Sequence, residues 1–235
     1  MDIQKALSFH KITNSTNLGI NHISTENFNT ILLTFKNILN DRITFDDGFE
    51  SVYKNAFPIM NSYGLGGKIF PIVGYINKYN NWDFNFGINK SKHLNNNQIL
   101  ELDKYGWEIG SHGFFHHPYT DMTSKEILND LSYSKKYLED LLSKEVKSFA
   151  VPFNIYNPII FDLILESGYK VIFFNSFYKS DYVPHIDYLV QRKPIFKITS
   201  LKSIKNYFNG EKNNFTDKMI QFCANATIGL KHLLY

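Results

Sequence analysis

Two adjacent carboxylates and a pair of histidines are the residues of this chain best suited to chemistry. The carboxylates are Asp46 and Asp47, in Phe45-Asp46-Asp47-Gly48-Phe49, closing the apolar run Arg42-Ile43-Thr44-Phe45. One of two neighbouring carboxylates can hold a metal ion while the other stays free to move a proton. The histidines, His112 and His116, follow about sixty-five residues later in Ser111-His112-Gly113-Phe114-Phe115-His116-His117-Pro118. A gap of three residues lets two imidazoles converge on one ion. Together these residues supply an Asp/His/His set with a spare Asp, enough for a hydrolytic metal site with an open coordination position. Each cluster alone has a plainer reading. Asp-Gly between apolar residues is a hairpin signal, and a His-rich stretch before proline is commonly a solvated turn. The conjunction favours the metal site, because each cluster follows a strand-like run and the two supply complementary ligands.

The elements that must position these residues alternate. Apolar, β-rich runs read as strands over residues 6–12, 42–47, 68–76, 107–110, 147–153, 169–174 and 185–195. Helical apolar spacing covers 28–39, 51–63, 97–105, 158–166 and 201–208, and the capping box Thr123-Ser124-Lys125-Glu126 opens a helix running to about Leu142. Pro58 predicts a kink or early break in the second helix. Residues 77–95 read as a long polar loop holding Trp82. Alternating βα units imply a parallel sheet. Asp46, Asp47, His112, His116 and His10 fall at or just beyond the carboxyl ends of strands, where βα barrels build their sites. The pattern by itself does not choose between a barrel and an open sheet.

The motifs carry a resemblance. Thr44-Phe45-Asp46-Asp47-Gly48 resembles the first motif of the polysaccharide deacetylases, the NodB-homology group of carbohydrate esterases. Ser111-His112 through His116 resembles their second motif, a His-x-x-x-His usually followed by Pro, here with His117 interposed. Residues 148–157, Ser-Phe-Ala-Val-Pro-Phe-Asn-Ile-Tyr-Asn, resemble the third, with Asn154 where family members usually have Gly. The resemblance runs from about Phe9 to about Gly210. It implies an α/β fold, a distorted (β/α)7-type barrel over residues 1–210, with 211–235 as a helical appendage of the same domain. It further implies Asp47, His112 and His116 as ligands of one divalent metal, Asp46 as general base, and Phe153 and Asn154 as lining of an acetyl-group pocket. Zinc suits such N and O ligands, as would cobalt, nickel or manganese.

Two departures bear on the remaining roles. The family usually supplies its acid from a Leu-x-His motif late in the domain, and none stands there in this chain. Some members look circularly permuted, with that histidine on the first strand. Leu7-Ser8-Phe9-His10 resembles that arrangement and points to His10, with His185 as the rival. The family's Arg two residues before the Pro of the third motif is Ala150 here. Arg192, in Val190-Gln191-Arg192-Lys193-Pro194, resembles the Arg of the permuted-looking members and would hold Asp46 ionised. Its plainer reading is an arginine snorkelling at the surface. His22 and His93 read as loop histidines and His232 as a surface one.

Composition bounds the rest. At 235 residues the chain can bury one sizeable core. Its apolar content of 43% and charged content of 20% are ordinary for a globular protein. A net charge of +3, evenly scattered, gives no footprint for nucleic acid. The single cysteine, Cys223, excludes an intramolecular disulfide. The amino terminus lacks a signal-peptide pattern and no apolar run is long enough to span a bilayer, so the expectation is a cytoplasmic protein. The expected activity is that of a metal-dependent N-deacetylase of an N-acetylated amino sugar in a polysaccharide, an oligosaccharide or a carrier-linked sugar, with a lipid carrier allowing membrane association. A deformylase or an O-deacetylase would use the same centre. From another class, a barrel could bind glycan or metal without turnover, but it would have no use for a carboxylate beside the ligand. The sugar, its carrier and the oligomeric state do not follow from the sequence.

Overall fold

A computed structural model describes residues 4–14, 21–80, 90–175 and 189–211. The strands are β1 (Gln4–Phe9), β2 (Lys11–Ile12), β3 (His22–Ile23), β4 (Ile43–Asp47), β5 (Lys68–Pro71), β6 (Glu108–Ile109), β7 (Ser148–Ala150), β8 (Val171–Asn175) and β9 (Leu189–Pro194). Seven form one sheet in the order β6-β5-β4-β1-β9-β8-β7, while β2 pairs with β3 apart from it. Every pairing is parallel. The ends of the seven-stranded sheet meet just past β6. There Ser111 N donates to Ser148 O at 3.0 Å and Ala150 N donates to Ser111 O at 2.9 Å. The sheet is thus a nearly closed barrel of the expected (β/α)7 kind.

The helices are α1 (Thr25–Phe35), α2 (Phe57–Ser62), α3 (Asn96–Lys104), α4 (Ser124–Leu142), α5 (Pro158–Glu166) and α6 (Leu201–Phe208). Local chemistry sets their starts. Ser24 and Asn157 cap α1 and α5 through their side chains, and α3 and α4 open with full capping boxes, Asn95/Gln98 and Thr123/Glu126. Strand alternation sorts the core into two layers. Ala6, Phe70, Ala150, Phe173 and Val190 fill the barrel interior. Leu7, Phe9, Ile43, Phe45, Ile69 and Ile172 face the helices; Phe45 packs against Phe9 and Phe28 of α1, with ring centroids 5.6 and 5.9 Å apart. Thr44 and Asp46 alternate with Ile43 and Phe45 and so belong to the inner face.

Several elements depart from the expectation: the strand expected over 6–12 splits into β1 and the separate β2, and the one expected over 147–153 ends at Ala150 and gives way to a 3-10 turn over Pro152–Asn154. The strand expected through Ile76 ends at Pro71 and becomes a 3-10 turn over Val73–Tyr75. Its amides are needed elsewhere: Val73 N donates to Gly113 O at 3.0 Å and Gly74 N to Phe114 O at 2.9 Å, which ties this turn to the histidine loop. The helix expected over 51–63 opens as a π turn, Val52–Ala56, and becomes regular at Phe57. Pro58 follows that π turn directly, at the second position of the regular segment, so the ladder is irregular next to the residue that cannot donate. No helix among the described residues is long and apolar enough to cross a membrane. The expected appendage beyond Glu211, with Cys223 and His232, lies outside the described residues, as do Trp82 and His185.

Candidate metal centre and general base

The site stands at the carboxyl ends of the strands and begins inside the barrel. Arg192 on β9 is level with Ala6 of β1, and on the other side of β1 Ser8 is level with Thr44 of β4. The Arg192 side chain is fully buried, its guanidinium lying over the rings of Phe70 and Phe173 at 5.6 and 5.9 Å. Nη1 donates to Asp46 Oδ1 at 2.7 Å and to Thr44 Oγ1 at 3.3 Å. This excludes the surface-arginine reading. The contact runs through one nitrogen shared between two oxygens rather than through both arms of the fork. Burial alone would raise the Asp46 carboxyl. The Arg192 charge, with smaller contributions from His112 and His10, outweighs it and holds Asp46 below the usual carboxylate range. Asp46 is therefore ionised at neutral pH.

Asp47 faces a different way because its backbone breaks the strand. Simple alternation would send it to the helix side with Phe45. Its φ of +66°, followed by Gly48 at +68°, redirects it. Gly48 is required here on two counts, since a Cβ would also lie 2.7 Å from Pro71 Cβ. The turn brings Asp47 Oδ1 to 3.6 Å from Nε2 of both His112 and His116. Donor atoms of the three buried residues all lie within 4.8 Å of one another. His112 Nδ1 donates to Ala150 O at 2.8 Å, which puts the proton on Nδ1 and leaves the Nε2 lone pair for the site. Burial lowers the proton affinity of His112, against the pull of Asp46 and of the Ala150 carbonyl. A neutral imidazole is what a metal requires.

The loop between the two histidines is built around Asp130 of α4. Its buried carboxylate accepts from Phe114 N at 2.9 Å, Phe115 N at 3.0 Å and Tyr119 Oη at 2.7 Å. Gly113, at φ +78°, runs so close that a Cβ would sit 2.7 Å from Asp130 Oδ2. The sequence reading missed Asp130, although a signal was present: a carboxylate on the core-facing stripe with Ile127, Leu131, Ser134 and Leu138. From the other side Phe153 covers the His116 ring, centroids 4.2 Å apart. Asp47, His116, Phe153 and Asn154 all have φ between 54° and 66°. Left-handed non-glycine residues cost on the order of 1–3 kcal/mol each and gather where the surrounding structure holds them for a purpose.

The remaining expected residues fall out as follows. Asn154 is buried and committed: its amide nitrogen donates to Asn175 O at 2.9 Å while its oxygen accepts from Asn175 N. Asparagine is among the few residues that tolerate the left-handed backbone for which a glycine would be usual. His10, just past β1, is partly buried, and its Nδ1 has no hydrogen-bond partner among the described residues. The ring is lowered to about 4, chiefly by burial, against Asp46; His112, Arg192 and Lys11 add to the lowering. It therefore lies within electrostatic reach of both Asp46 and His112. His117, the additional histidine of the second motif, is exposed and apart from the cluster. His93 is not a solvated loop residue: it is buried, with Nδ1 2.8 Å from the Asp47 carbonyl oxygen.

The donor set fits a divalent transition metal. Two imidazole nitrogens and one carboxylate oxygen converge, the tautomer of His112 is fixed by a backbone carbonyl, and a second carboxylate stands alongside. Known proteins resemble the chain in sequence and in fold. A Staphylococcus aureus (strain MRSA252) poly-beta-1,6-N-acetyl-D-glucosamine N-deacetylase is 29% identical over 137 residues, 54% of this chain and 45% of that protein. The chain thus matches less than half the length of that relative. Among solved structures, the Streptococcus pyogenes deacetylase PplD in complex with acetate covers 89% of this chain and 98% of its own, with a TM-score of 0.69 at 19% identity. IcaB from Ammonifex degensii covers 88% and 96%, with a TM-score of 0.67 at 18% identity. These two likenesses are of fold. Residues 42–172 match the family described as polysaccharide deacetylase. That span takes in both aspartates, both clustered histidines and the Ala150 carbonyl behind them, and by it the chain belongs to the polysaccharide deacetylase family.

Proposed function

We propose that this chain is a metal-dependent N-deacetylase that hydrolyses the acetamide of an N-acetylated amino sugar, giving acetate and a free amine. The observation that carries the reading is the juxtaposition of a buried Asp/His/His donor cluster with an ionised carboxylate on the neighbouring residue. A divalent ion held by Asp47, His112 and His116 would polarise the amide carbonyl and lower the pKa of a water toward about 7. Asp46 takes the proton that this water loses as its oxygen bonds to the carbonyl carbon. Arg192 keeps Asp46 charged until then and fixes its orientation. Breaking the C–N bond leaves an amine that needs a proton, and His10 is the group assigned to deliver it. Phe153, over His116, closes one side of the space around the acetyl group. The name of the S. aureus relative supports an N-acetylglucosamine polymer as the substrate class.

The test is acetate release from N-acetylglucosamine oligomers by zinc-loaded protein, with two aspartate variants. Asp46→Asn should keep its zinc and lose about 10²–10⁴-fold in turnover, because it removes the base and no ligand. Asp47→Asn should lose zinc as well. The roles are reversed if Asp46→Asn strips the metal while Asp47→Asn retains it. An unaltered rate in both variants would remove the proposal altogether.

A further inference from the structure

We propose that His93 is the positioning residue for Asp47, holding the left-handed turn that aims this carboxylate at the histidine pair. The inference rests on the metal-site reading above and deepens it. The carbonyl of Asp47 can only accept, so the 2.8 Å contact requires the proton on His93 Nδ1. That bond, the shorter of two on this carbonyl, which also accepts from Ile72 N at 3.4 Å, pins the peptide between two consecutive left-handed residues, Asp47 at φ +66° and Gly48 at +68°. Without an external hold, a non-glycine residue there relaxes toward the β region.

The surroundings of His93 fit this task. Residues 92–94 run as a strap beside the aspartate turn. Glu50 N donates to Lys92 O and Leu94 N to Gly48 O, each at 2.8 Å, and Phe49 bridges His93 in antiparallel fashion. The His93 ring is stacked on Phe49, centroids 4.7 Å apart, and lies 5.4 Å from Tyr75. The ring position is thus fixed by packing, and the hydrogen bond transmits that fixity to Asp47. The residue type itself is informative. Nε2 of His93 is buried without a hydrogen-bond partner among the described residues. A phenylalanine would fill the same space with no orphaned nitrogen. The imidazole is therefore accounted for by its single bond to the Asp47 carbonyl.

The experiment compares His93→Asn, His93→Gln and His93→Phe with the wild-type chain. Asn offers an N–H near the Nδ1 position. Gln offers one only further out, and Phe offers none. The readouts are far-UV circular dichroism and thermal melting of the metal-free proteins, and zinc affinity by competition with a chromogenic chelator. Zinc affinity should fall about tenfold or more in the Phe and Gln variants and stay within about threefold in the Asn variant, as for other supports of metal ligands. A purely structural role predicts the opposite pattern: melting temperatures shift while zinc affinity stays equal in every folded variant. That result, or an Asn variant as impaired as Gln, overturns the inference. If His93→Phe does not fold, the Asn/Gln pair decides alone. A wild-type chain that binds no zinc fails earlier, on the metal-site reading itself, and removes this inference with it.

Discussion

Asp46 and Asp47 are neighbours with opposite surroundings, and the difference lies in one backbone angle. Asp46 keeps strand geometry, points into the barrel and meets Arg192 at 2.7 Å. Asp47 turns left-handed and meets two imidazoles. The third catalytic candidate is more constrained than its position suggests. Burial lowers His10 to about 4, so at neutral pH it rests neutral and has no acidic proton to give. It can act as acid only by first taking up a proton released during attack, and Asp46 is the neighbour whose charge favours that uptake. Removing His10 should therefore slow amide hydrolysis more than ester hydrolysis, because an amine leaves poorly unless protonated, whereas a phenolate needs little help. The measurement is His10→Ala on an N-acetyl sugar and on an aryl acetate at equal zinc occupancy. A loss on the amide larger by about 10²-fold is expected. Equal losses on both substrates would leave His10 a structural residue.

At the scale of elements, the histidine loop is held by neighbours rather than by its own sequence. The 3-10 turn after β5 binds the carbonyls of Gly113 and Phe114, and α4 binds the amides of Phe114 and Phe115 through Asp130. Asp130→Asn keeps the shape of that anchor but replaces one accepting oxygen with an NH2 that cannot accept. At least one buried donor then loses its partner, which costs about 1–3 kcal/mol. Tyr119→Phe deletes one bond to the same carboxylate without leaving a donor unpaired and should cost about 1 kcal/mol. Urea unfolding of the two variants checks this order. Zinc affinity should fall about tenfold in Asp130→Asn, as expected when a support of the metal ligands is lost. An Asp130→Asn protein with native stability and native zinc affinity would show that the loop holds itself.

For the whole molecule, placing titratable groups inside a barrel ties stability to pH. Burial brings His10 from 6.5 to about 4, against the charge of Asp46 and helped by His112, Arg192 and Lys11. Between those values the unfolded chain binds the proton and the folded chain does not. Stability from this ring is thus fully present above about 6.5 and is lost as pH falls toward about 4. The full linkage is on the order of 3 kcal/mol, reduced by the edge of the ring that stays open to solvent. In metal-free protein, the urea midpoint of the wild type should therefore fall more steeply from pH 7 to pH 5 than that of His10→Gln. Parallel slopes would mean that the ring titrates normally in the fold.

Much of this was legible in one dimension. Thr123 and Glu126 announced α4, and the run Arg42–Phe45 announced the strand beneath the two aspartates, because capping and strand signals are local. The Asp/His/His chemistry was legible because ligand types and the three-residue gap are properties of sequence. Other features were decided only by packing. Whether Arg192 is a surface cation or the partner of Asp46 depends on β9 lying beside β1, a contact between residues 146 apart. The shortening of β5 followed from hydrogen bonds to a loop that comes some forty residues later. Asp130 and His93 look like a helix residue and a loop residue until the turns they hold are folded against them. Residue types and local spacing set what chemistry this chain could carry. The tertiary structure alone decided which side chains converge, because convergence depends on strand register and on contacts between distant segments, which no local pattern encodes.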